Sequence, residues 1–269
     1  MLKNIKDLNG FSIRATDGEL GTLNEFYFDD ETWAIRYLTV ETGGWLGGKE
    51  VLISPFAILN TDWQAKCLDV VLTKKQIENS PNIDTHKPVS RQHEASYLGY
   101  YGYPIYWDPS VYASGVAIPI GETDESIEQI MESESIDSHL RSTQIVNGYN
   151  IEALDGEIGH VDGFVIDDEA WAIRYIEVAT RTWWPGKKVL ISPAWIESLT
   201  WMDSKAHVAL TRERIQSADA YLEDQPITRD YEAQLYNHYG KPPYWLEGTK
   251  LKSLFAAAGA ASPAEPILR

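Results

Sequence analysis

The chain has 269 residues, a formal net charge of −17 at pH 7 and a hydrophobic fraction of 43%, which predict a folded protein of about two domains. The negative charge argues against a general nucleic-acid binder or an anionic-lipid binder, because both need a basic surface. The single cysteine, Cys67, excludes a disulfide framework, and no stretch resembles a signal peptide or a membrane span, so we expect a cytoplasmic protein.

Short strands and tight turns dominate the first 80 residues. Asp17-Gly18 predicts a hairpin between strands at 12–15 and 20–28, because this dipeptide tolerates positive φ. Further strands are predicted at 33–41, 50–54 and 68–72, and Thr73 with Gln76 forms a capping box that opens a helix over 74–80. A second short helix is predicted within 90–99. These elements predict a mainly β fold, a small closed barrel with an aromatic C-terminal tail.

The same order of features occurs twice. Asp17-Gly18-Glu19 recurs 138 positions later as Asp155-Gly156-Glu157, and the strand 33–37 recurs as 171–175. Roughly 25 of the 45 positions from 11 to 55 are identical in the two copies. We therefore predict a first repeat at 1–107, an acidic linker at 108–138, a second repeat at 139–246 and a flexible tail at 247–269.

The repeated motifs resemble the PRC-barrel family, and in particular bacterial tandem PRC-barrel proteins with a Tyr-Trp tail. The resemblance rests on the turn 17–21, the strand around Trp33, the strand 51–55 and the helix start at Thr73, each in the family's order. It implies two small β-barrels similar to the cytoplasmic domain of the photosynthetic reaction centre H subunit and to the C-terminal domain of a ribosome maturation factor. Those relatives use the barrel to dock on proteins. The sequence shows neither the membrane helix of the first nor the RNA-processing domain of the second, so neither specific role is carried over.

Candidate catalytic and metal-binding patterns are weak. The string from Gly43 to Lys49 is similar to a phosphate loop, but Glu50 follows where Ser or Thr would hold magnesium. Asp29-Asp30-Glu31 and its copy Asp167-Asp168-Glu169 could bind a cation, yet at a hairpin tip they are expected to cap a turn and face water. The six histidines are not repeated between the copies and have no zinc spacing. We expect a protein that is not an enzyme and has no cofactor or metal.

The aromatic residues are the better candidates for a functional surface. Trp33 and Trp171 lie in the strongest predicted strands and are expected in the core. Seven others lie in loops or in the aromatic tails and are candidate partner-binding residues: Trp45, Trp183, Trp184, Tyr106, Trp107, Tyr244 and Trp245. The alternative is that they cover a barrel end or strap the tails onto the barrels.

Duplication of a non-catalytic unit suits a bivalent platform. We therefore expect a cytosolic scaffold or adaptor that docks a protein partner of unknown identity, or further copies of itself, and no nucleic acid. The alternative is a small-ligand or metal-responsive binding protein with its site at the barrel–barrel junction.

Overall fold

The computed structural model describes residues 1–81, 91–106, 139–180, 187–200 and 202–246. The predicted linker 108–138 and tail 247–269 lie outside the described residues. The fold is mainly β, as the strand pattern predicts, with a few short helices.

The described part of the first repeat holds seven strands and two helices. The strands are β1 (Leu2–Asn4), β2 (Ser12–Ala15), β3 (Gly18–Asp29), β4 (Ile35–Thr42), β5 (Glu50–Ile53), β6 (Ile58–Asp62) and β7 (Cys67–Val70), and the helices are α1 (Lys74–Glu78) and α2 (Arg91–Tyr101). Thr73 caps α1 through the predicted capping box, since its side chain accepts from the Gln76 amide and Gln76 accepts from the Thr73 amide.

The described part of the second repeat has the same order with one further helix. Its strands are β8 (Leu140–Ser142), β9 (Asn150–Ala153), β10 (Gly156–Asp167), β11 (Ala172–Ala179), β12 (Lys188–Ile191), β13 (Ile196–Thr200) and β14 (Lys205–Val208), and its helices are α3 (Thr143–Val146), α4 (Arg212–Ser217) and α5 (Arg229–Tyr239). Thr211 and Thr228 cap α4 and α5 with their hydroxyl groups.

The strands form two seven-stranded sheets with matching topology. Six strands of one sheet run in the order β5-β4-β3-β2-β7-β6, and six strands of the other run in the order β12-β11-β10-β9-β14-β13. Neighbours pair antiparallel in the second sheet except β14 with β9, whose equivalents β7 and β2 are also parallel. Among the described residues, no pairing joins the two outer strands of either sheet, so the structure shows open sheet paths where the sequence predicts closed barrels.

Each sheet is completed by the first strand of the other repeat. β1 pairs antiparallel with β10, with Leu2 opposite Asp167 and Asn4 opposite Val165. β8, its equivalent in the second repeat, pairs with β3. The sequence pattern did not predict this exchange, because a three-residue strand carries no periodicity that identifies its partner.

The compact units therefore differ from the two sequence repeats. Unit 1 comprises Met1–Gly10, Glu25–Tyr37 and Arg141–Thr249, and unit 2 comprises Phe11–Asn24, Leu38–Leu140 and Lys250–Arg269. The core of unit 1 includes Phe28 and Phe164, and that of unit 2 includes Leu68 and Tyr97, all at most 1% exposed. None of the described helices is both long enough and apolar enough to cross a membrane.

Candidate functional site

The strongest repeated sequence, Trp-Ala-Ile-Arg-Tyr, builds a two-fold junction inside unit 1. The Ile35 amide donates to the Trp171 carbonyl and the Ile173 amide donates to the Trp33 carbonyl, each at 2.8 Å. Ala34 and Ala172 form an antiparallel bridge between these two hydrogen bonds. Equivalent residues of the two copies thus bind each other reciprocally.

Both tryptophans of this junction have left-handed backbone. The φ of Trp33 is 59° and that of Trp171 is 46°, a region that costs a non-glycine residue on the order of 1–3 kcal/mol. The rings are buried as predicted, and Trp33 stacks on Phe28 at 5.0 Å between centroids. This backbone conformation turns each Trp carbonyl toward the other copy. Packing and the two junction hydrogen bonds offset its cost.

The first acid of each triplet organises the turn before the tryptophan. Asp29 accepts through Oδ1 from the amides of Glu31 and Thr32, at 3.0 and 2.9 Å, and its Oδ2 lies 3.5 Å from Arg36. Asp167 repeats these contacts with the amides at 169 and 170 and with Arg174, at 3.2 Å. Turn chemistry is therefore confirmed, but the prediction that the acids face water is wrong for Asp29, which is 3% exposed.

The second acid of each triplet holds the exchanged strand. Asp30 lies 2.5 Å from the Arg141 guanidinium, on β8. Asp168, its equivalent, binds the amino group of Met1 next to β1. The duplicated acids are therefore used in ion pairs between segments of the two repeats.

A carboxylate also lies beneath each exchanged strand, and it comes from a different strand in each copy. Asn4 on β1 donates through Nδ2 to Glu177 on β11, while Ser142, the equivalent of Asn4, donates to Glu25 on β3. The residue equivalent to Glu25 is Gly163, where an added Cβ would lie 3.1 Å from the Glu177 carboxylate. Gly163 thus makes the room that Glu177 occupies.

These two glutamates were missed by sequence reasoning, which looked for residues that recur. Position 25 is Glu where its copy, 163, is Gly, and position 39 is Thr where its copy, 177, is Glu. A comparison of the two copies for paired substitutions of this kind could have identified both glutamates, because each pair preserves one carboxylate under each exchanged strand.

Glu177 is the most perturbed carboxyl group of the junction. The residue is fully buried, and burial raises its pKa to about 7, although the ammonium groups of Lys6 and Lys188 oppose the shift. Both ammonium nitrogens lie 3.8 Å from Oε2, an oxygen with no hydrogen-bond donor among the described residues. The carboxyl group therefore lies between its two protonation states near neutral pH.

Asp162 and Glu223 complete the charged cluster around Glu177. Carboxylate oxygens of the three acids lie within 4.8 Å of one another, a spacing that could suit a cation. Lys188 lies 2.5 Å from Asp162 and also binds Glu223, and Lys6 lies 3.1 Å from Asp162. Two ammonium groups therefore already pair with the three carboxyl groups of the cluster.

Trp45 is a candidate partner-binding residue that the structure both fixes and leaves partly exposed. It lies in a 3-10 turn, Gly44–Leu46, in unit 2, so the phosphate-loop-like string is a turn before a strand. Its indole nitrogen donates to the Leu20 carbonyl at 2.6 Å, and the Lys74 ammonium lies 5.3 Å from the ring centroid. The ring is half-buried.

The tyrosines of both tails bind a buried glutamate on the preceding helix. In unit 2 the Tyr106 hydroxyl donates to Glu94 on α2 at 2.6 Å, and in unit 1 the Tyr244 hydroxyl donates to Glu232 on α5 at 3.1 Å. Tyr106 is 8% exposed, whereas Tyr244 is half-buried between Arg174 and Arg229. These contacts favour the strap interpretation of the tyrosines.

Of the four remaining candidate partner-binding residues, the structure describes one, Trp245. Trp245 is half-buried, with the Arg229 guanidinium 4.2 Å from its ring centroid. Trp107, Trp183 and Trp184 lie outside the described residues. The structure thus provides two anchored, partly exposed tryptophans, Trp45 and Trp245, in different compact units.

Residues 2–76 match the family model of the PRC-barrel domain. This match confirms the resemblance to that family for the first repeat, from β1 into α1. No curated protein matches the chain significantly.

Proposed function

We propose that this protein is a non-catalytic, cytosolic scaffold or adaptor built from two tandem PRC-like barrels, and that it docks protein partners. Aromatic rings that are held in place and remain partly exposed are typical of the residues that carry most of the binding energy at protein interfaces. The fixed, half-buried Trp45 is the observation that carries the proposal.

Two features support a docking role for Trp45. Its hydrogen bond to Leu20 orients the ring before a partner arrives, so little rotamer entropy remains to be lost on binding. Trp183 is its sequence equivalent in the second repeat, so the chain carries a tryptophan at this position in both copies and could engage two sites on one partner or two copies of it.

The proposal is tested by photo-crosslinking in cells at native expression, with a photoreactive residue placed at Leu46. We expect the wild-type protein to capture a reproducible set of proteins that the double variant W45A/W183A does not capture. Trp63→Ala is the matched control, since Trp63 is another half-buried tryptophan in unit 2 that packs on Phe11, and it should retain the captured set. Identical capture by the double variant and the wild type would rule out the loop as the docking surface.

The acidic cluster of Asp162, Glu177 and Glu223 is the observation that favours the alternative, a metal-responsive protein. The two lysines in contact with it weigh against that function, because a bound cation would have to displace them. Calorimetric titration with Ca²⁺, Mn²⁺ and Zn²⁺ distinguishes the two functions. A metal-responsive protein should show saturable binding heat that the Glu177→Gln variant lacks, whereas a scaffold should show no such heat.

A further inference from the structure

We propose that the exchanged N-terminal strand is a pH-controlled latch, held on β10 through Glu177 and released as the pH rises through neutrality. Release would uncover the edge of β10 between Val165 and Asp167, which β1 covers. This inference concerns unit 1 alone and is independent of the proposed docking role of Trp45.

The single carboxyl group of Glu177 contacts both β1 and the turn that follows it. Asn4 on β1 donates to one of its oxygens, and the Lys6 ammonium lies 3.8 Å from the other. Detaching β1 together with the turn that follows it removes these contacts and opens one side of the carboxyl group to water. The protonation state of Glu177 and the attachment of the strand are therefore linked.

Charged and titratable groups face Glu177 from every element packed against it. Lys6 comes from the 3-10 turn after β1, Asp162 from β10, Lys188 from β12, and Tyr221 and Glu223 from the segment after α4. The two ammonium groups favour the carboxylate, the two other acids oppose it, and burial opposes it most. Ionisation of Glu177 to the carboxylate therefore destabilises the closed latch.

The sign of the effect follows from the direction of the shift. The pKa of Glu177 is raised from 4.5 to about 7 while the strand is in place, so the closed latch is favoured at low pH. This stabilisation is complete below about pH 4.5 and is lost as the pH rises through about 7, because the open state then gains a hydrated carboxylate. If the open state has the ordinary pKa, the opening equilibrium constant increases about ten-fold between pH 6 and pH 8.

Hydrogen exchange of the full-length protein tests the latch at a single amide. The Asp168 amide donates to the Met1 carbonyl at 3.1 Å, so its protection reports the attachment of the N-terminal strand. After correction for the intrinsic rate, we expect its protection factor to fall about ten-fold from pH 6 to pH 8. An unchanged protection factor over this range would overturn the proposal.

Two variants separate the latch from general effects of pH. Glu177→Gln keeps an acceptor for Asn4 but does not titrate, so the change in the protection of Asp168 between pH 6 and 8 should fall from about ten-fold to about two-fold or less. The remainder comes from the Met1 amino group, whose pKa is raised from 8.0 because its burial is outweighed by the Asp168 and Glu169 carboxylates. Glu152→Gln removes a carboxylate paired with Lys205 elsewhere in unit 1 and should leave the ten-fold change intact. Equal pH dependence in the Glu177→Gln variant and the wild type would refute the assignment.

A measurement on the wild-type protein keeps the proposal testable if Glu177→Gln does not fold. Carbon-detected NMR of the Glu177 carboxyl group should show a titration with a midpoint near 7, the pH above which the protection at Asp168 levels off. A midpoint in the ordinary range of an exposed glutamate, near 4.5, would contradict the latch.

Discussion

Asp29 performs two separable tasks with its two carboxylate oxygens. Oδ1 caps the turn by accepting two backbone amides, and Oδ2 faces the buried Arg36 guanidinium. The turn fixes the left-handed backbone of Trp33, which directs the Trp33 carbonyl to Ile173. A single acid at the hairpin tip therefore supports the backbone geometry that the junction between the repeats uses.

Two replacements of Asp29 should give the contribution of each task to the free energy of unfolding. Asp29→Asn keeps an oxygen for the turn amides but removes the charge, and we expect it to lower the free energy of unfolding by about 1–2 kcal/mol. Asp29→Ala also removes the cap and should cost about 1 kcal/mol more. Asp167→Asn is the matched control: its side chain is 20% exposed against 5% for Asp29, so its loss should be smaller. Urea unfolding followed by circular dichroism measures all three, and equal losses at 29 and 167 would contradict the burial argument.

At the scale of elements, the second glycine of the repeated Asp-Gly-Glu-x-Gly turn has a steric function. A Cβ on Gly21 would lie 2.0 Å from the Glu41 carbonyl oxygen, and one on Gly159 would lie 2.1 Å from that of Ala179. Both glycines lie beside a break in strand register, between Glu157 and Gly159 and at the equivalent point of the first repeat. The bulge brings two backbones closer than any side chain allows.

Alanine at these glycines should therefore be strongly destabilising. We expect Gly159→Ala to lower the free energy of unfolding by about 3 kcal/mol or more, since the obstacle is backbone that cannot rotate away. Gly44→Ala is the control, because a Cβ there meets no atom within 4 Å, and it should change the free energy by at most about 0.5 kcal/mol. Chemical denaturation measures both, and a Gly159→Ala variant as stable as Gly44→Ala would show that the strands can separate without loss.

The tail straps belong to the same scale and differ between the copies. Tyr106 donates to Glu94 at 2.6 Å, in a buried position. Glu232 receives Tyr244 at 3.1 Å but also Tyr175 at 2.7 Å, and Arg229 lies 3.0 Å from it. The tyrosine–glutamate hydrogen bond of the first repeat is thus shorter and more buried than that of the second.

Removing each tail hydroxyl should reveal this difference. We expect Tyr106→Phe to cost about 2 kcal/mol and Tyr244→Phe about 1 kcal/mol or less, because the Tyr106 hydrogen bond to its carboxylate is shorter and more buried. Thermal unfolding of the two variants measures the order. A larger loss for Tyr244→Phe would indicate that the tail of the second repeat, with its neighbouring Trp245, is the more important strap.

At the scale of the whole molecule, the sequence predicted the secondary-structure elements well but not which strands pair with one another. The capping box at Thr73, the hairpin at Asp17-Gly18 and the buried Trp33 are local features, and the structure confirms each. The exchange of β1 and β8 is a long-range choice of partner between similar copies. Local propensity cannot distinguish which of two related strands β1 will join, and Glu177 was not recognisable because its task is performed by Glu25 in the other copy.

The exchange predicts that the two repeats remain bound after the chain between them is cut. Unit 1 draws on both repeats through the pairing of β1 with β10, the reciprocal hydrogen bonds of Trp33 and Trp171, and the contact of Phe28 with Phe164 at 5.9 Å. With a protease site inserted within 108–138, the cleaved halves should elute together at the mass of the intact protein. Urea should separate them, which verifies complete cleavage.

Two aromatic truncations show whether the junction is what holds the cleaved halves together. Phe164→Ala removes the ring that contacts Phe28 of the other repeat, so after cleavage it should raise the dissociation constant of the halves by about 100-fold, for a loss of about 3 kcal/mol. Phe11→Ala removes a buried ring that packs on Trp63 within the first repeat, so it should lower stability without separating the halves. If the halves separated at once in the unmodified protein, or Phe11→Ala released them as readily as Phe164→Ala, the exchanged strands and the tryptophan junction would be incidental. Co-elution with the expected order of the variants would mean that the duplicated sequence folds as one interdependent pair, in which neither copy completes its sheet alone.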